Sequence, residues 1–119
     1  MKKVVVVLVL LMGATSFGQN KNAKAVIAVD GVCMMCKVRI EKAAIKTKGV
    51  KSAVWNIDTK ELRVIYNDQK ATLASINTSV AAVGHDTEQI KATEKAYASV
   101  HPCCKYRDDS VQKDHNKDN

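Results

Sequence analysis

Asp30-Gly31-Val32-Cys33-Met34-Met35-Cys36 places two thiols three positions apart. An apolar run precedes it (25–30, AVIAVD), and a run of helix formers follows (36–47, CKVRIEKAAIKT). The first run reads as a strand, with Ile27 and Val29 in the core. In the second, Ile40, Ala43, Ala44 and Thr47 recur at i, i+3, i+4, i+7, the spacing of a buried helical face, with Val38 and Ile45 off the stripe. The stretch is therefore a strand–loop–helix junction, and the first helical turn should hold both sulfurs on one exposed side. A helix N-terminus carries partial positive charge, which favours thiolate. Such a pair either binds a soft metal ion or cycles as a redox dithiol.

Outward toward the C-terminus, Gly49 stops the helix. Residues 50–57 alternate as a strand, with Ala53, Trp55 and Ile57 on one face; Asp58-Thr59-Lys60 turns the chain; and 61–66 (ELRVIY) returns with Leu62, Val64 and Tyr66 inward. Thr72 is placed to cap a helix whose stripe is Leu73, Ile76, Val80 and Val83, ended by Gly84. A polar edge strand is expected at 87–92 and a short helix, capped by Thr93, at 94–100. His101-Pro102 stops that helix and Cys103-Cys104 follows. The last segment, 108–119, is charged and lacks apolar anchors, so it reads as a disordered tail.

Toward the N-terminus, Lys2-Lys3 precedes an apolar run (4–12) and small residues at 16–18. This is the pattern of a secretory signal peptide cleaved near Gly18, and the run is short for a membrane span. A polar leader (19–24) follows. The chain of 119 residues carries +7; loss of Lys2 and Lys3 leaves a mature charge of +5. That mild charge, one Trp and no interleaved aromatic and basic run give nucleic-acid binding no support. Arg39, Lys42 and Lys46 form a solvated basic side of the first helix, or a docking patch for an acidic partner. No Ser/His/Asp arrangement, paired carboxylates or phosphate-cradling loop points to an enzyme.

All four cysteines lie in the mature part. Export to an oxidising compartment raises the prospect of disulfides. However, Cys33–Cys36 closes too small a loop to stabilise much, and a Cys103–Cys104 bond is strained. Two close pairs suit ligand or redox roles better, with a bridge between the pairs left open.

The order strand, helix, hairpin, helix, strand with Cys-x-x-Cys in the first loop resembles the heavy-metal-associated domain family of copper metallochaperones, copper-ATPase domains and the periplasmic mercury-binding protein. The family signature Gly-Met-x-Cys-x-x-Cys appears as Gly31-Val32-Cys33-Met34-Met35-Cys36, one residue shorter between Gly and Cys. The likeness continues through Arg39-Ile40-Glu41-Lys42-Ala43, Gly49-Val50-Lys51-Ser52-Ala53 and Ala82-Val83-Gly84-His85-Asp86. It covers 25–92. The resemblance implies an α+β, ferredoxin-like βαββαβ sandwich, here with a short C-terminal helical extension (93–107) that a minimal domain lacks. It also implies that Cys33 and Cys36 bind Cu(I) or another thiophilic ion, Hg(II) or Zn(II). The implied partner is a metal-transporting membrane protein or another metal-binding domain.

Soft thiolates suit Cu(I), whereas Zn(II) wants four ligands, more than Cys33 and Cys36 supply. Thioredoxin-like proteins share the Cys-x-x-Cys placement, but the single proline, Pro102, lies far from any active-site cis-proline position. A periplasmic thiol–disulfide oxidoreductase using Cys33 and Cys36, and a disulfide-stapled accessory domain of an efflux system, stand as rivals. Met34 and Met35 are assigned packing roles, one inward and one exposed. His85 is a candidate third ligand, because the resemblance places its loop beside the cysteines. Cys103 and Cys104, with His101, are further candidates. The last strand leads about 20 Å away from the metal end, and the short helix returns about 12 Å. His101-Pro102 adds roughly 6 Å more, so the pair can reach the first site. His115 is assigned no role. Localisation is expected to be periplasmic or secreted, as a soluble mature protein.

Overall fold

An antiparallel sheet of β1 (Ala23–Ala28), β2 (Val50–Asn56) and β3 (Glu61–Tyr66) runs in the spatial order β1-β3-β2. The helices are α1 (Met34–Lys46), α2 (Leu73–Ala82), α3 (Glu94–Ala98) and α4 (Asp109–Lys117), with a 3-10 turn at Pro102–Cys104 before α4. The computed structural model describes residues 20–117. The expected signal peptide (1–18) lies outside the described residues. Among the described residues no helix is long and apolar enough to cross a membrane.

The fold is α+β and ferredoxin-like, and the apolar pattern explains it. Ile27, Trp55, Leu62 and Val64 point to one face of the sheet; Ile40, Ala43 and Ala44 of α1 and Ile76 and Val80 of α2 cover them. The other face stays open, with Val26 and Val54 exposed. Register pairs Leu62 with both Ile27 and Trp55 across the three strands. Val38 and Ile45, off the helical stripe, are exposed as expected. Thr72 caps α2 reciprocally with Ser75, each side chain bonded to the other's backbone N–H at 3.0 Å.

Four expectations change. β1 begins at Ala23, so the leader's last two residues are sheet, and Val29 forms only an isolated bridge with Thr87. That bridge is all that remains of the edge strand at 87–92. The Thr87 hydroxyl accepts the amides of Gln89 and Ile90, and Thr87 N–H donates to the Ile90 carbonyl. This local turn takes up the backbone groups a ladder would use. The tail, expected to be disordered, is helical over Asp109–Lys117: Asp108 accepts the Ser110 amide, and Val111 packs against the core. Finally, Arg39 is not a free member of a basic patch. Its guanidinium donates to the Val83 carbonyl at 2.7 Å and to the Ser99 hydroxyl at 2.9 Å, joining α1 to the end of α2 and to α3.

The C-terminal extension is fastened to the domain at Gly84 and Asp86. Tyr106 is buried; its hydroxyl donates to the Gly84 carbonyl at 2.7 Å and accepts the Asp86 amide at 2.9 Å. Arg107 grips both carboxylate oxygens of Asp86 at 2.7 and 3.2 Å and donates to the Ala92 carbonyl. Burial weighs against the Asp86 carboxylate, but Arg107 and the Ala92 amide outweigh it and hold its pKa below the usual value. A depressed carboxylate contributes stability above its ordinary range, near pH 4, and that contribution is lost as pH falls through the lower folded value. Arg107→Ala should therefore destabilise the protein by about 2 kcal/mol at neutral pH, with the gap to wild type closing below about pH 4. Urea denaturation at several pH values measures this; a gap that persists undiminished in acid rules the ion pair out as the cause.

Candidate metal centre

Gly31 sets the position of the thiol loop. A Cβ there would lie 3.0 Å from the Trp55 ring and 3.1 Å from the Cys36 Cβ, so glycine lets the loop lie close against the indole and a side chain would press on it. Trp55 is fully buried and its Nε1 donates to the Val29 carbonyl at 3.1 Å, fixing the floor. Cys33 then falls at the N-cap of α1 and Cys36 in its first turn. The Cys36 sulfur also accepts the Val32 amide at 3.5 Å.

The 3-10 turn brings the second pair to the first. Cys33 Sγ lies 3.2 Å from Cys36 Sγ, 3.0 Å from Cys104 Sγ and 3.5 Å from Cys103 Sγ; Cys103 and Cys104 are 3.9 Å apart. All four are free thiols, so neither a 33/36 nor a 33/36-to-103/104 bridge is formed. The expected exposure of the loop sulfurs is corrected: Cys33, Cys36 and Cys104 are buried and only Cys103 is part-exposed. The reason is the extension, whose turn closes over the start of α1. Beside Cys33 a cleft of about 760 Å³ opens, lined by Asp30, Lys60, Arg107 and His115 among others.

The cluster is electrostatically asymmetric. Burial opposes ionising Cys33, but the thiols of Cys104, Cys36 and Cys103 aimed at its sulfur bring its pKa below the ordinary thiol value. Burial raises Cys36 and Cys104, and the neighbouring Cys33 raises Cys104 further. Burial and then Cys33 raise Cys103 too. Cys33 is thus the thiol of the four most readily ionised, with the other three sulfurs around it. A soft cation bound at Cys33 would displace the proton of each further thiol that ligates it.

His85, a candidate third ligand, is directed away from the sulfurs. It is fully buried; its ring stacks on Tyr106 at 5.4 Å and its Nδ1 lies 2.8 Å from the Asp30 carbonyl. That contact requires an N–H at Nδ1, and burial lowers the pKa, so the ring is neutral and braces the loop's backbone. Both methionines are exposed, Met34 at 61% and Met35 at 49%, so neither packs inward. Met35 does touch the site: its sulfur accepts from Cys103 Sγ at 3.5 Å. His101 Nδ1 lies 3.2 Å from the same sulfur. His115, given no role in the sequence, reaches the Cys103 carbonyl with Nε2 at 3.3 Å. Tyr106 and Arg107 were missed as site-building residues. Their signal was a buriable aromatic and a fork-shaped cation immediately after the cysteine pair.

Comparison with known proteins follows the same outline. The sequence model described as the heavy-metal-associated domain matches residues 26–106. A copper chaperone CopZ of Staphylococcus epidermidis is 36% identical over 64 residues, 53% of this chain and 94% of its own. The N-terminal domain of a potential copper-translocating P-type ATPase from Bacillus subtilis, solved in the Cu(I)-loaded state, matches with a TM-score of 0.53 at 30% identity, over 56% of this chain and 84% of that one. Oxidized MerP from Ralstonia metallidurans CH34 shares the fold, with a TM-score of 0.54 at 22% identity over 56% and 94% of the two chains.

Proposed function

The chain belongs to the heavy-metal-associated domain family, and on that premise we propose that it is an exported carrier of Cu(I). Cys33 and Cys36 are the primary ligands, and Cys104 and Cys103 close the site from the extension. The observation that carries this reading is the convergence of four thiols, three of them within 3.0–3.5 Å of Cys33 Sγ. The copper chaperone relative and the Cu(I)-loaded neighbour support copper over Hg(II) and Zn(II).

The spacing also bears on how the ion is held. A metal–thiolate bond of about 2.3 Å sets sulfurs about 4 Å apart in a trigonal site and about 4.6 Å apart in a linear one. Separations of 3.0–3.9 Å suit a site of three or more thiolates with an opening of about 1 Å or less. A carrier with such an enclosed site holds its ion more firmly than an open two-thiolate loop. That favours sequestration, with release to a metal-transporting membrane protein or another metal-binding domain by exchange with the acceptor's own thiols. The protein works as a carrier rather than an enzyme, in the periplasm or outside the cell after cleavage near Gly18.

Anaerobic titration of the reduced full chain with Cu(I), Hg(II) and Zn(II) against competing chelators tests this. Tight Cu(I) binding, lost when Cys33 and Cys36 are both replaced by serine, is the expected result. Insulin-reductase activity without metal binding would replace the carrier reading by the dithiol oxidoreductase.

A further inference from the structure

Cys103 faces two ways. On its inner side are the sulfurs of Cys33 and Cys104, at 3.5 and 3.9 Å. On its outer side are Met35 Sδ at 3.5 Å and His101 Nδ1 at 3.2 Å. These two outer groups come from different elements, the first turn of α1 and the N-cap of the 3-10 turn. Nothing in the core requires them to meet: Met35 is half exposed and His101 is exposed. A thioether, an imidazole and a thiol are all donors that soft ions accept.

Resting on the inner site described above, we infer that the extension creates a second Cu(I) subsite, formed by Cys103 Sγ, Met35 Sδ and His101 Nδ1. The donor count argues for it. Cu(I) takes up roughly three soft donors of this kind. Cys33, Cys103 and Cys104 lie within 4.8 Å of one another; Cys36, 3.2 Å from Cys33, can take the place of Cys103 in the inner set, which leaves Cys103 with the thioether and the imidazole as the outer one. His101 Nδ1 lies 3.2 Å from the Cys103 sulfur and accepts the Cys103 amide at 3.3 Å, a lone pair that would turn to the ion on binding, while the Cys103 S–H proton is directed at Met35 Sδ. A second ion takes the place of that proton: the Cys103 S–H bond breaks, an S–Cu(I) bond forms, one proton leaves to solvent and copper stays monovalent. Cys103 also accompanies the inner sulfurs, so the two ions are neighbours sharing one edge of the cluster. The outer subsite is the solvent-facing one and fills from outside.

The test uses the reduced full chain under anaerobic conditions, with Cu(I) as the probe and native mass spectrometry as the count. Wild type is expected to take two Cu(I) ions. Met35→Leu combined with His101→Asn is expected to take one, with the affinity for that ion changed less than about threefold and the nitrogen scatterer gone from the copper X-ray absorption spectrum. Asparagine keeps an N-cap acceptor for the Cys103 amide, so the turn persists. Wild type saturating at a single ion overturns the subsite, and so does a double variant that still takes two ions with an unchanged spectrum. Wild type that binds no copper overturns the inner site as well, which separates the failure of the two readings.

Discussion

Cys33→Ser lowers Cu(I) affinity by more than about 100-fold, and by more than Cys36→Ser or Cys104→Ser does. A loss of 10–100-fold is typical for removing a group that only orients a ligand, so removing the ligand shared by every sulfur contact exceeds it. The asymmetry follows from position. Cys33 is the hub, with the other three sulfurs within 3.5 Å, and its thiol alone among the four is shifted toward ionisation. Its loss leaves three thiols whose ionisation burial opposes. A chelator competition series over the three single variants measures the order. Equal losses at all three positions would show that the thiols contribute alike and that the hub has no special weight.

Gly84→Ala should destabilise the protein by about 3 kcal/mol or more and reduce its copper capacity at the same time. Gly84 has φ +104°, a conformation that L residues adopt only under strain of roughly 1–3 kcal/mol. An added Cβ would also sit 2.6 Å from the Ala96 carbonyl oxygen and 2.6 Å from Val100 Cγ1. Neither neighbour moves alone, since the first is backbone of α3 and the second is buried. Relief requires α3 to lift, and the 3-10 turn that carries Cys103 and Cys104 follows it. Urea denaturation combined with Cu(I) titration reads both effects. An unchanged midpoint with unchanged stoichiometry would mean that the extension does not depend on its seat at Gly84.

The core of the domain was legible because its signals are local and periodic. The stripes of α1 and α2, the alternation in β2 and β3, the Thr72 cap and the buried Trp55 all repeat on one face of one element. The thiol loop was legible for the same reason, two cysteines at a helix start. What failed to read through depends on contacts distant in sequence or on competition between neighbours. The segment at 87–92 alternates passably, yet the Thr87 hydroxyl draws its amides into a turn. Helix α4 has a weak apolar pattern and forms around one anchor, Val111, after an Asp108 cap. His85 looked like a ligand because its loop does lie beside the cysteines. Its ring instead turns toward Tyr106, a partner 21 positions later that no local pattern announces. The return of Cys103 and Cys104 was allowed by length, and the Tyr106 and Arg107 anchors at Gly84 and Asp86, with the Arg39–Ser99 contact, fix it.

Cys33 and Cys104 stand 71 positions apart in the chain and 3.0 Å apart in space. An ion held by both is therefore a cross-link between the front of the domain and its far end. Tying so long a span removes freedom from the unfolded chain, worth about 4 kcal/mol in a loop-entropy treatment. Such a cross-link would need the intervening strands and helices in place to bring its two ends together. On the proposed reading, the cargo would then act as a clasp, and its removal would leave a domain more readily unfolded.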